Sequence, residues 1–196
     1  MEGQGILLVC VFVPLLGAFL LPILGRISAG LRNIVALIFV LTAFIAAAFS
    51  LPYVLNGTPL LFKVQLPLGM SIGFLGDGLA VFMAMTSSLV AAIIVFYSFG
   101  YIEHYDNQNE YYMMVVLFIG AMMGLVFSTN LIMIYLFWEI SALCCWRLIG
   151  FYREKEIILK ADKAFLVTVG GALLMLVGFI GIYIQTGTFD LMELQG

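Results

Sequence analysis

Glu139 stands in the middle of Asn130 to Gly150 (NLIMIYLFWEISALCCWRLIG), a run with no other charge before Arg147. An ionisable side chain deep in an apolar segment costs about 2.5–3.5 kcal/mol to insert, and such groups occur where they pair, bind or relay an ion. Tyr135 lies at i−4 and Ala142 and Leu143 at i+3 and i+4, so its helical face combines one hydroxyl with small and apolar residues, as a helix–helix interface would. Arg147 is two turns further on, about 12 Å along the axis, too far for a salt bridge within one helix. The basic candidate elsewhere is Lys163, which shares a face with Val167, Gly170, Gly171 and Leu174; the two glycines admit another helix closely. Glu139 lies about 16 Å inside the edge of its segment and Lys163 only about a turn from it. Two readings stand for each residue: Glu139 relays an ion or simply pairs with a base on another helix, and Lys163 is a cationic partner or an interfacial anchor beside Asp162 and Glu156.

Other groups carry less chemistry. Asp77 precedes an apolar run in Leu75-Gly76-Asp77-Gly78-Leu79, the position of an N-cap. His104 stands alone in a hydrophilic loop, and the methionines Met113, Met114, Met122 and Met123 read as packing. Cys10, Cys144 and Cys145 sit inside apolar runs with neither metal-ligand spacing nor the even count of a disulfide framework. No phosphate-binding glycine loop, nucleophile elbow or zinc spacing is present. The expectation is a chain without catalysis of its own, without cofactor or metal, and without a basic run for nucleic acid.

The elements that must position Glu139 and Lys163 follow from composition. With 64% apolar residues, 10% charged residues and a mean hydropathy of +1.19, the chain exceeds what a water-soluble domain carries. An all-α, polytopic membrane protein is expected, with six spans of about the twenty residues that cross a bilayer. They are placed at Gly5–Leu24, Ile34–Leu55, Leu79–Tyr101, Tyr111–Ser128, Asn130–Gly150 and Ala161–Gln185. The first has no positive n-region or small-residue cleavage pattern and reads as a retained helix. Between the second and third, Asn56–Gly78 holds short apolar pieces broken by Gly57, Pro59, Pro67, Gly69, Gly73 and Gly76, which predicts a hairpin at the membrane surface. The three residues from Ser128 to Asn130 force spans four and five into a tight antiparallel pair. Residues 1–110 are read as a three-helix segment with the hairpin, and 111–196 as the first three helices of a repeat. Arg26, Arg32, Arg147, Arg153, Lys155, Lys160 and Lys163 fall on one side and Lys63 on the other, which places both termini outside. The loop Ile102–Glu110, with Glu103, His104, Asp106 and Glu110 but no Lys or Arg, sits awkwardly on that inner side.

Phe137-Trp138-Glu139, Leu148-Ile149-Gly150-Phe151-Tyr152, Lys163-Ala164-Phe165 with Thr168 and Gly170-Gly171, and Thr186-Gly187-Thr188 follow one another in a telling order. With Asp77 before the third span and Tyr97 and Tyr101 at its end, this pattern resembles the antiporter-like subunits of respiratory complex I, Mrp cation/proton antiporters and energy-converting membrane-bound hydrogenases. The resemblance covers about Asp77–Thr188. It implies part of an inverted-repeat fold and a subunit taking part in proton or sodium translocation, with Glu139 in a buried chain of charged and hydrated groups and Lys163 close by. Gly170-Gly171 stands where complex I members carry Gly-Asp, which favours the hydrogenase and Mrp side. The family continues into a broken helix with a central Lys and a second repeat, so a split or shortened subunit is expected, its missing half supplied by another integral membrane polypeptide. The alternative is a structural subunit that docks or seals its neighbours without conducting ions.

Overall fold

A computed structural model describes residues 4–65 and 71–194. The first crossing is α1 (Gln4–Gly17), a 3₁₀ turn (Ala18–Leu20) and α2 (Leu21–Ile27), continuous enough to span as Gly5–Ile27. The interruption has a cause: the Pro22 ring clashes with the carbonyl four residues back, at Ala18, and the chain tightens there. Ser28 caps α3 (Ala29–Leu55) by accepting from the Leu31 N–H at 3.5 Å. The hairpin is β1 (Leu60–Gln65) paired antiparallel with β2 (Ser71–Gly76), Leu60 opposite Gly76 and Gln65 opposite Ser71. Pro67 and Gly69 lie outside the described residues. Then come α4 (Gly78–Tyr101), α5 (Gln108–Phe127), α6 (Leu131–Ile149), α7 (Lys155–Thr186) and a short α8 (Leu191–Leu194). Among the described residues six helices are long and apolar enough to cross a membrane, and the protein is a multi-pass membrane protein. Among the described residues the small hairpin is the one sheet in an otherwise helical architecture.

Helix α5 is the centre, packed against α1, α3, α4 and α6, and 61% of its apolar window is buried. Two glycines make this possible. A Cβ on Gly120 would stand 2.5 Å from the Leu15 backbone nitrogen, and one on Gly124 would stand 2.4 Å from the Phe137 ring. Small residues at membrane helix contacts let backbones and rings approach in this way. By contrast α7 keeps only 6% of its window buried.

Tertiary contacts sort the connections into two ends. Arg32 reaches Asn109, Arg153 reaches Glu110, and Tyr101 meets Tyr152, so the connections after α2, α4 and α6 gather at one arginine-rich end. The Thr129 N–H donates to the Gly73 carbonyl, and Lys63 pairs with Asp190, so the hairpin, the α5–α6 turn and the α7–α8 segment gather at the other. The helices therefore alternate in direction.

Candidate functional site

Asn130 sets the height of Glu139. Its side-chain oxygen caps α6 by accepting from Ile132 at 2.9 Å and Met133 at 3.3 Å, while its Nδ2 donates to the Ser71 carbonyl at 2.7 Å. The Leu131 N–H donates to Phe189 and the Leu191 N–H to Thr129, which stitches the start of α6 to the end of α7. At the far end the Trp146 indole donates to Asp162 at 2.8 Å and its ring lies 5.3 Å from that of Phe165. α6 and α7 are thus registered against each other at both ends.

In this frame Glu139 lies about 12 Å from the start of α6. It is half-buried, and its Oε1 is buried without a hydrogen-bond partner. An unsatisfied carboxylate oxygen in a membrane span is costly. Lys163 is exposed and makes no ion pair among the described residues; Asp162, its expected surface partner, is engaged by Trp146 instead. With Trp146 level with Asp162, a rise of 1.5 Å per residue puts Lys163 about 9 Å nearer the arginine-rich end than Glu139. The two predicted site residues are therefore on neighbouring helices but not in contact. Beside them, α6 and α7 flank an open, mostly apolar cavity of about 200 Å³ lined by Trp138, Ser141, Cys145, Phe165 and Thr168 among others; neither Glu139 nor Lys163 lines it.

The glycine face of α7 differs from a packed interface. A Cβ added at Gly170 or Gly171 meets nothing within 4 Å, and Val167 and Leu174 are 78% and 76% exposed. No helix of the described chain uses this face. Of the cysteines, Cys10 and Cys144 are buried as expected, whereas Cys145 is exposed, because neighbouring helix residues differ by about 100° in direction. Asp77 caps α4, accepting from the Ala80 N–H at 2.8 Å, and His104 is exposed, both as read from sequence.

Three polar networks were not visible in the sequence. Glu110 accepts from both Arg147 and Arg153, the latter at 2.9 Å, which accounts for one acid of the awkward inner loop. Arg32 is 3% exposed and bonds Asn33, Gln108 and Asn109. At the hairpin end Asp190, 1% exposed, accepts from Lys63 at 2.7 Å, the Ser71 hydroxyl at 2.8 Å and the Met192 N–H at 3.0 Å; Lys63 also reaches Glu193 at 3.0 Å. Burial opposes the charge on Asp190, yet Lys63, Met192 and Ser71 together hold its carboxyl below the usual range, and the bonds to Asp190 and Glu193 raise Lys63.

Known proteins are similar to this chain in sequence and in fold. Residues 128–196 match the family described as "NADH:quinone oxidoreductase/Mrp antiporter, TM", and residues 64–112 match "NADH-Ubiquinone oxidoreductase (complex I), chain 5 N-terminus". The chain is 32% identical over 195 residues to the Na(+)/H(+) antiporter subunit A1 of Staphylococcus haemolyticus strain JCSC1435, covering 97% of this chain and 24% of the relative. It is 31% identical over 199 residues to the subunit of the same name from Staphylococcus aureus strain JH9, covering 96% and 24%. The chain thus spans about a quarter of the length of these curated relatives. Among solved structures, an archaeal membrane-bound sulfane sulfur reductase superposes with a TM-score of 0.85 at 21% identity, covering 94% of this chain and 38% of that one. The Mrp complex of Dietzia sp. DQ12-45-1b superposes with a TM-score of 0.78 at 23% identity, covering 94% and 20%. With a capped, ring-packed α6 carrying Trp138-Glu139, and with family matches over residues 64–112 and 128–196, the chain belongs to the antiporter-like membrane subunits of which Mrp antiporter and complex I chains are members.

Proposed function

We propose that this chain takes part in proton or sodium translocation within a larger membrane complex, with Glu139 as the acid that changes pairing or protonation. The observation that carries this reading is the buried, unpartnered Oε1 of Glu139 in the middle of a span. A carboxylate serving only as structural glue would already sit in a closed ion pair, and Glu139 makes none among the described residues. Lys163, nearer the arginine-rich end on α7, lies beyond direct reach of Glu139.

The open glycine face of α7 supports a partner in the form of a further integral membrane helix, a broken one with a central Lys on the precedent of the family, belonging to another subunit. The bias of Lys and Arg toward one end supports a reading with the arginine-rich end inside and both termini outside. The relatives are Na(+)/H(+) antiporter subunits, and cation/proton exchange coupled through such a complex is the activity assigned here. Replacing Glu139 with Gln in the assembled complex should leave its yield nearly unchanged and depress coupled ion transport in reconstituted vesicles about tenfold or more. Unaltered transport would overturn the reading; loss of yield with normal transport per complex would favour a docking role.

A further inference from the structure

The arginine-rich end holds a charged feature that ion translocation does not use. Every hydrogen-bond partner of buried Arg32 is neutral: Nε and Nη2 donate to the Asn33 side-chain oxygen at 3.1 and 2.7 Å, Nη1 to Asn109 at 2.6 Å, and Nη2 to Gln108 at 2.7 Å. Its guanidinium also stacks 4.8 Å from the centre of the Tyr112 ring. Among the described residues it has no ion pair. A buried charge left uncompensated is strongly unfavourable, so a counter-charge is called for.

The space for one is present. Arg32 lines an open cavity of about 290 Å³ together with Gly25, Glu103, Asp106, Gln108 and Asn109. Gln108 and Asn109 open α5, a helix of 20 residues whose N-cap, Asn107, makes no side-chain cap bond. First-turn N–H groups of a helix have no partner within the helix, and such an end favours an anion. Glu103 and Asp106, both exposed, bring negative charge to the same cavity. A buried cation with exposed anions beside it is complementary to a zwitterion whose anionic group enters first. On α2, Ile23 and Ile27, at 58% and 72% exposure, flank Gly25 and offer apolar surface to hydrocarbon chains.

We propose that this cavity, at the membrane end between α2, α3 and the α4–α5 loop, binds the headgroup of a phosphoethanolamine lipid. The phosphate takes Arg32 and the α5 N-terminus, and the primary ammonium takes Glu103 and Asp106. Basic pockets between membrane helices bind lipid headgroups in general; the acidic residues here select among them. A purely anionic headgroup meets two carboxylates, and a quaternary ammonium has no N–H to donate to them.

Native mass spectrometry of the detergent-solubilised protein, with phosphatidylethanolamine, phosphatidylglycerol and phosphatidylcholine added at equal concentration, tests this directly. Retention of phosphatidylethanolamine should exceed that of the other two at least tenfold. The Glu103→Gln, Asp106→Asn double variant, confined to an exposed loop, should lose the preference over phosphatidylcholine while still binding lipid; Arg32→Gln should lose retention of all three. Equal retention by the native protein, or an unchanged preference in the double variant, would overturn the proposal. Displacement of the lipid by millimolar inorganic phosphate would identify a free-anion site instead and overturn the lipid assignment.

Discussion

Asp190, Arg32 and Glu139 are each withdrawn from water, and each meets different company. Asp190 has a cation and two neutral donors, Arg32 has only neutral partners, and Glu139 has one oxygen with no partner at all. The Asp190 clamp is testable as a structural element. Lys63→Met should lower thermal stability by about 1.5–3 kcal/mol, the usual worth of hydrogen bonds to a charged group. Its pH dependence has a definite sign. Because the folded carboxyl of Asp190 is held low, its contribution is present above the unfolded value of about 3.9 and lost as pH falls through the folded one. Because folded Lys63 is raised, its contribution is full below about 10.4 and lost as pH rises through the folded value. Amide exchange in β1 and β2 should therefore be slowest, relative to intrinsic rates, between those limits and open on the acid side; Lys63→Met should flatten that profile. Glu139 was legible in the sequence because a lone acid in an apolar run is conspicuous by itself. Arg32, Glu110 and Asp190 were not, because their partners lie 77, 37 and 119 residues away and no local spacing encodes them.

Among the elements, α5 and α7 make opposite use of glycine. Gly124 is filled by the Phe137 ring, so Gly124→Leu should overpack the α5–α6 contact and cost about 1–3 kcal/mol, read as a lower melting temperature. Gly170 faces open space, so Gly170→Leu should leave the melting temperature of the isolated chain unchanged yet reduce its recovery with partner subunits on affinity purification. An unchanged recovery would show that no helix docks there. The hairpin was legible from glycines and prolines bounding short apolar pieces, and the pairing of α5 with α6 from the brevity of their link. The start of α7 was not: hydropathy places it at Ala161, whereas the helix begins at Lys155. Glu, Lys, Ile and Leu continue a helix readily and contain no breaker, so the polar first turns extend it beyond the apolar stretch.

For the whole molecule, composition alone dictated a membrane protein, and the gathering of loops at two ends fixed the alternation of its helices. Their absolute orientation rests on charge bias, and Cys substitutions at Thr58 and His104 test it. In intact cells an impermeant thiol reagent should label the first and spare the second, and the opposite pattern would invert the topology. The site was only partly legible: a lone acid in an apolar run shows itself in the sequence, whereas the open glycine face of α7 shows only once the helices are packed. Difference infrared spectroscopy of the assembled complex in vesicles, under an imposed cation gradient, observes the proposed exchange itself. A protonated-carboxyl band that changes with the gradient and is absent from Glu139→Gln is the expected result. A spectrum in which no Glu139 band responds to the gradient, while ions still move, would contradict its role as the exchanging acid.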